Sequence, residues 1–289
     1  MNDINDYINK TFCMDNLEFM KSLPNESIDL IYGDILYGTG NKFTDYQDLK
    51  ADRETIKEFY IPRIKEMHKL LKSTGSIYLQ MDWRISHWIR YICDDIFGYE
   101  NFINEIIWHY QTYQGKNKKS FPRKHDNILY YSKSDTYTFK LLKDTNYEDT
   151  IDYKRWRKYL NNNNEILGCN YPKTDCRFDG YYNRFVKVNR RIPNDNDVIF
   201  KIEGKTIDSV WNIKAVDPKS YNIVNYNTQK PKELLERIIK ASSNESDIIG
   251  DFFCGSGATG VVAKELNRKY ILCDINPKAI EITNLRLTS

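Results

Sequence analysis

This 289-residue chain lacks the features that would place it in several large classes. No apolar run approaches membrane-spanning length, and the first residues, Met1-Asn2-Asp3-Ile4-Asn5, carry no apolar signal region. These two absences lead to the expectation of a cytoplasmic protein. Six cysteines, at 13, 93, 169, 176, 254 and 273, show no close pairing, and the nearest two, Cys169 and Cys176, fit no zinc spacing. Histidine is scarce: the four (68, 87, 109 and 125) have no ligand spacing. There is no internal repeat, and the asparagine run 161–164 is too short to count as low complexity. Thus neither a disulfide scaffold nor a metal centre is called for.

What the chain does have is length and apolar content for one large α/β domain with an insertion, or for two modest domains, at 40% hydrophobic residues. The net charge of +3 conceals an asymmetry. Residues 101–225 carry 22 Lys and Arg against 15 Asp and Glu, while the remainder carries 21 against 25. The basic excess lies in the middle and suits a polyanion-binding insertion in a slightly acidic body; a solvated basic surface is the plain alternative.

Two apolar runs end in chemistry. Ile28 to Tyr32 reads as a buried strand and leads into Gly33-Asp34-Ile35-Leu36-Tyr37-Gly38-Thr39-Gly40. Asp247 to Phe253 reads as another and leads into Cys254-Gly255-Ser256-Gly257-Ala258-Thr259-Gly260, followed by a helical segment from Val261. A strand, a glycine turn and a helix N-terminus make a site where backbone N–H groups closely approach a ligand. Gly255, Gly257 and Gly260 match the dinucleotide spacing, with Asp274 where a ribose-binding acid belongs. Only 29 residues follow Gly260, however. The remaining strands must come from earlier in the chain, so the sheet is expected to be permuted. Thr228-Gln229-Lys230-Pro231 precedes a helix with proline in its first turn.

Between these ends, Lys10 to Met14, Ser76 to Met81, Glu105 to Tyr110 and Asn127 to Tyr131 read as strands. Leu17 to Leu23, Glu54 to Leu71 and Ile85 to Phe97 read as helices, with Pro62 expected to bend or split the second. Residues 134–225 lack long periodic segments.

The three motifs, in this order, resemble the β-class S-adenosylmethionine-dependent DNA amino-methyltransferases. In that family the catalytic motif comes first, a target-recognition region next and the cofactor loop last. The resemblance covers residues 10–135 and 225–289. It implies a circularly permuted Rossmann-like methyltransferase sheet, mostly parallel with one antiparallel strand. Residues 1–133 would be the catalytic half, 134–225 the target-recognition region and 226–289 the cofactor-binding half. It implies a site-specific enzyme acting on adenine N6 of a flipped base in double-stranded DNA. The alternatives are N4-cytosine methylation, RNA methylation, and a DNA- or cofactor-binding module without turnover. A homodimer and a partner restriction endonuclease are expectations by resemblance alone.

Carried over by residue, Asp34 is the side-chain acceptor for the amine, the Ile35 carbonyl the second acceptor, and Tyr37 the ring that stacks on the base. S-adenosylmethionine would be held by Asp15, by Thr228, Gln229 and Lys230 over its carboxylate, and by Asp251, Phe253, Gly255, Ser256 and Gly257 around its methionine part. Asp274 would take the ribose hydroxyls, with Ile275 and Asn276 beside the adenine. Lys116, Lys118, Lys119, Arg123 and Lys124 would bind phosphates, and Asn41, Lys42 and Tyr46 the flipped nucleotide or its neighbours. The chain departs from the family pattern where Asp-Pro-Pro-Tyr is usual. Ile35 and Leu36 keep a carbonyl in place but not the stiffness two prolines impose.

Overall fold

The computed structural model describes residues 3–42, 48–110, 118–216 and 229–288. By internal contacts the chain divides into two units: residues 1–140 with 208–289, and residues 141–207.

The larger unit begins with β1 (Lys10–Cys13), α1 (Asn16–Ser22), β2 (Ile28–Asp34), α2 (Arg53–Leu70), β3 (Leu71–Met81), α3 (Ser86–Phe97), β4 (Phe102–His109) and β5 (His125–Ser132). The smaller unit holds β6 (Lys143–Asp144), α4 (Ile151–Trp156), β7 (Glu165–Leu167), α5 (Asp179–Asn189), β8 (Val198–Lys201) and β9 (Lys205–Thr206). The chain returns to the larger unit through β10 (Val210–Asn212), α6 (Lys232–Ser242), β11 (Ile248–Asp251), α7 (Ala258–Glu265), β12 (Lys269–Asp274) and α8 (Pro277–Thr288).

Eight strands make one sheet in the order β1-β12-β11-β2-β3-β5-β4-β10. Pairing is parallel except where β5 runs against β3 and β4. The late strand β11 lies directly beside the early strand β2, with Ile249 against Leu30 and Gly250 against Ile31. This places the carboxyl ends of β2 and β11 next to each other, at the edge where open α/β sheets bind ligands. The sheet is permuted and mixed, as the sequence implies.

The strands are fully buried because they read as continuous apolar runs: Ile28, Leu30, Ile31 and Tyr32 on β2, and Ile77, Tyr78, Leu79 and Met81 on β3, are at most 2% exposed. Helix α6 carries Leu234, Leu235, Ile238 and Ile239 on one face, all buried, each contributing roughly 1.5–3 kcal/mol. Helix α2 runs through Pro62 without a break, so of the expected bend or split the split does not occur. Ile56, Tyr60, Ile64 and Met67 lie on both sides of Pro62 and are buried in the same core. That burial outweighs the ~3 kcal/mol cost of an interior proline. Strand β3 starts at Leu71, five residues before the predicted start, and its pairing with β2 shifts register between Ile28 and Leu30.

The smaller unit and β10 fall in the stretch with no long periodic signal. β10 pairs with β4 through only three residues, Trp211 opposite Trp108. The smaller unit has its own apolar cluster of Trp156, Ile166, Phe178 and Ile199. Among the described residues no helix is long and apolar enough to cross a membrane.

Candidate active site

Strand β2 ends at Asp34 and strand β11 at Asp251, so the two motifs leave the sheet side by side. They open onto one cavity of about 380 Å³. Asp34, Ile35 and Tyr37 line it from the first motif; Phe253 and Gly255 line it from the second. Asp15, Lys230, Asp274, Ile275 and Asn276 complete the set of sequence-predicted residues in its wall. A water-sized recess of about 30 Å³ adjoins Asp34, Lys230 and Gly255, and Gln229, Asp251 and Ser256 lie there. Thr228, Lys116 and Tyr46 lie outside the described residues.

Each carboxylate oxygen of Asp34 has a polar neighbour. Oδ2 meets Lys230 Nζ at 2.5 Å, and Oδ1 faces the Tyr37 hydroxyl at 3.0 Å. Burial pushes its pKa above the usual carboxylate range, the Lys230 ammonium pulls it back, and the nearby Asp126 charge raises it again. The ammonium also stands 5.4 Å from the centre of the Tyr37 ring. Lys230 thus holds the carboxylate of the first motif, a contact its expected place over the cofactor's carboxylate did not suggest.

The backbone after Asp34 is fixed without prolines. The Ile35 N–H donates to the Gln80 carbonyl at 3.1 Å, a bond proline could not make. The Leu36 carbonyl accepts from the Tyr60 hydroxyl at 2.9 Å. Ile35 itself is 2% exposed. Asp48 accepts from the N–H groups of Gly38, Thr39 and Leu49 and from the Thr39 hydroxyl, which holds the backbone just after Tyr37.

The glycine turn is held from outside. Asp274 at the end of β12 accepts from the Gly255 N–H through Oδ2 and from the Asn276 N–H through Oδ1, both at 2.9 Å. Thr283 donates to the Gly255 carbonyl at 3.0 Å, and Arg286 donates to the Ser256 carbonyl at 2.6 Å. Gly257 has φ of +72°, and a Cβ there would stand 2.4 Å from Thr283 Cγ2. The turn therefore needs glycine both for its backbone and for space. Gly257 packs against α8 and lines neither cavity.

Asp251 accepts from the Phe253 N–H at 3.0 Å and the Thr259 hydroxyl at 2.6 Å. Burial pushes its pKa up to about 7, against the opposing pull of those two bonds. Asp15 caps α1 by accepting from the N–H groups of Leu17 and Glu18. Its other oxygen meets Arg63 at 2.6 Å. Arg63 in turn bonds Asn16 and stacks over Phe59, 3.7 Å from its ring centre.

Several predicted contacts to nucleic acid lie on the surface. Asn41, Lys42, Lys118, Lys119 and Arg123 are exposed. Arg123 also stacks 3.9 Å over the ring of Trp83, which is 42% exposed.

Sequence reasoning missed Arg63, Tyr60, Gln80, Asp126, Thr283 and Arg286. Each acts on the site through a partner distant in the chain, and none sits in a motif. Only Asp126, at the head of an apolar strand, carried the strand-end signal that picked out Asp34 and Asp274.

The residues fit a cationic, amphipathic ligand. Asp15, Asp34 and Asp274 line the main cavity beside the apolar Phe59, Phe252 and Ile275. Gln229 Oε1, at the recess, is buried and has no hydrogen-bond partner among the described residues. An acceptor left unpaired at such a place is suited to a donor the ligand would bring.

Comparison with known proteins gives the family. The N6_N4_Mtase family model, described as DNA methylase, matches residues 28–285. The chain is 31% identical over 281 residues to the type II methyltransferase M.HpaI of Haemophilus parainfluenzae, covering 97% of this chain and 74% of that protein. It is 29% identical over 274 residues to the DNA adenine methyltransferase YhdJ of Escherichia coli, covering 94% and 80%. In fold it is similar to the PvuII DNA methyltransferase (cytosine-N4-specific), with a TM-score of 0.61 and 16% identity over 96% of this chain and 85% of that one. The chain belongs to the N6_N4_Mtase family of DNA methylases.

Proposed function

We propose that this DNA methyltransferase transfers a methyl group from S-adenosylmethionine to adenine N6 of a flipped base within a specific duplex site. The observation that carries the reading is the shared cavity: Asp34 and the Gly255 turn open onto one space, although more than two hundred residues separate them.

S-adenosylmethionine supplies, when bound, a methyl group on a cationic sulfur that is open to in-line attack. In this reading Asp274 takes its ribose hydroxyls, with Ile275 and Asn276 beside its adenine; all three line the cavity. In this reading Gln229, Lys230, Asp251, Phe253 and Ser256 hold its methionine part and Asp15 its adenine amine; all of them line the cavity or its recess.

The exocyclic amine of a base is a poor nucleophile, because its lone pair is delocalised into the ring. Two acceptors that bond both N–H groups turn the lone pair out of the ring plane and fix the nitrogen. Asp34 Oδ1 and the Ile35 carbonyl take these roles. The Tyr37 ring stacks on the base once it is rotated out of the duplex. Carboxylates also stabilise the positive charge that develops on the amine as the new bond forms. In this reading Lys118, Lys119, Arg123 and Lys124 hold phosphates, Asn41 and Lys42 contact the flipped nucleotide or its neighbours, and residues 134–225 read the site.

An aspartate at position 34 supports adenine, the base named for YhdJ. Cytosine N4 is the second reading, favoured by the fold shared with the PvuII enzyme. Mass spectrometry of nucleosides from DNA treated with the enzyme and labelled cofactor decides between them. N6-methyladenine is expected, and N4-methylcytosine in its place would overturn the adenine assignment. Asp34→Ala tests the acceptor role. It should lower kcat by at least about 100-fold while cofactor binding persists by calorimetry.

A further inference from the structure

Tyr37 carries one hydroxyl proton and stands between two carboxylates. Its oxygen lies 2.7 Å from Asp126 Oδ2 and 3.0 Å from Asp34 Oδ1. One proton serves one acceptor at a time. Where it points decides whether Asp34 Oδ1 meets a substrate amine with its lone pairs open or already engaged.

Three features draw the proton to Asp126. The first is distance, since the Asp126 contact is the shorter. The second is charge. Lys230 already offsets Asp34, whereas among the described residues no lysine, arginine or histidine forms an ion pair with Asp126, which is only 4% exposed. Among the described residues its side-chain donors are neutral: Tyr37, Gln80 Nε2 at 2.9 Å and the Tyr110 hydroxyl at 3.2 Å. A buried carboxylate without a counter-ion draws such donors strongly. The third is the orientation of Gln80. Its Oε1 accepts from the Tyr32 hydroxyl at 2.7 Å, which turns Nε2 toward Asp126 and, at 3.3 Å, toward the Tyr37 oxygen. The phenol thus accepts from Gln80 and donates to Asp126.

We propose that Asp126 is a positioning residue for methyl transfer: it holds the Tyr37 proton away from Asp34, so that Asp34 Oδ1 is left to accept from the substrate amine. Asp126 does not line the main cavity and acts through Tyr37. The inference rests on the reading of Asp34 as the amine acceptor.

The test is a double-mutant cycle of Asp126→Asn and Tyr37→Phe, with kcat, KM for DNA, cofactor affinity and thermal melting measured for each protein. Asparagine matches aspartate in shape but is neutral, so the Tyr37 proton turns to the charged Asp34. The kcat is expected to fall about tenfold with cofactor affinity unchanged. With Tyr37→Phe there is no proton to misdirect, and Asp126→Asn should then cost less than about twofold. The loss caused by Asp126→Asn thus shrinks from about tenfold to under about twofold once Tyr37 is Phe, a coupling that a merely structural role does not give. Asp126→Ser is carried through the same cycle, should the asparagine variant melt far below the wild type. Equal losses in both backgrounds, or no loss in either, overturn the inference. A wild type that methylates no DNA overturns the underlying reading as well, which separates the two failures.

Discussion

Lys230 Nζ and Asp34 Oδ2 lie 2.5 Å apart, although the two residues are 196 positions apart in sequence. The contact ties the motif ahead of the cofactor loop to the acceptor of the first motif, and both side chains are largely buried. A buried pair of this kind is strongly disturbed when one partner is removed, because the other is left as an uncompensated charge.

The first prediction follows from the sign of that coupling. Burial raises the Asp34 pKa and Lys230 lowers it. In Lys230→Met the opposing pull is gone, so Asp34 takes up its proton at higher pH. The amine acceptor must be ionised, and the acidic limb of the kcat profile should move to higher pH. At neutral pH the loss of a charge-assisted bond of about 1.5–3 kcal/mol corresponds to a fall in kcat on the order of 10–100-fold. A pH–rate profile checks this, and an acidic limb that stays where the wild type has it would contradict the coupling.

A second prediction concerns the missing prolines. Residue 35 now has an N–H, and it is used: it donates to the Gln80 carbonyl. Ile35→Pro brings the chain closer to the family pattern, yet it removes that bond and leaves a carbonyl unpaired beside a buried glutamine. The cost should be about 1 kcal/mol or somewhat more, a fall in Tm of roughly 2–4 °C. Leu36→Pro leaves the carbonyl bonded to Tyr60 and should be milder. Thermal unfolding of the two variants compares them directly. If Ile35→Pro raises both Tm and kcat, proline stiffness outweighs the hydrogen bond.

How much of this site was legible in the sequence depends on distance along the chain. Asp34 and the Gly255–Gly260 turn stood out because a strand end and a glycine spacing are local signals. The parallel sheet and its permuted order followed from the apolar runs and from the few residues after Gly260. The contacts that hold the site were hidden, because Tyr60 meets Leu36 and Arg286 meets Ser256 only in the folded chain. Lys230 was singled out, but nothing local named Asp34 as its partner. Strand β10 was missed because three residues are too few to show alternation. The split allowed for at Pro62 does not occur because helix continuity is decided there by core packing, not by the local cost of proline.

The third prediction tests the glycine turn. Gly257→Ala puts a methyl group against the Thr283 side chain and keeps a positive φ that an L-residue resists. The combined strain should lower stability by about 1–3 kcal/mol. Because Thr283 also bonds the Gly255 carbonyl, the turn that lines the cavity shifts with it. Cofactor affinity by calorimetry should therefore fall together with Tm. A variant that melts lower yet binds cofactor as the wild type does would separate the turn from the site.

The last prediction concerns Asp251, whose pKa burial pushes up to about 7. In the unfolded chain the same carboxyl titrates near 4. Between these values the folded protein keeps a proton that the unfolded chain has lost, so this group makes stability fall as pH rises from about 4 to about 7 and adds no further slope above. Asp251→Asn has no charge to bury, and its amide retains partners in the Phe253 N–H and the Thr259 hydroxyl. The variant should be more stable than the wild type at pH 8 by on the order of 1–4 kcal/mol, and the gap should close toward pH 4. Cofactor binding should respond in the opposite sense. A cationic ligand at the recess gains from the ionised form, so wild-type affinity rises with pH through about 7 while that of Asp251→Asn stays flat and weaker. Denaturant unfolding and calorimetry across this pH range measure both quantities. If the variant gains stability without losing the pH dependence of binding, Asp251 is buried for packing and the cationic end of the cofactor is held elsewhere.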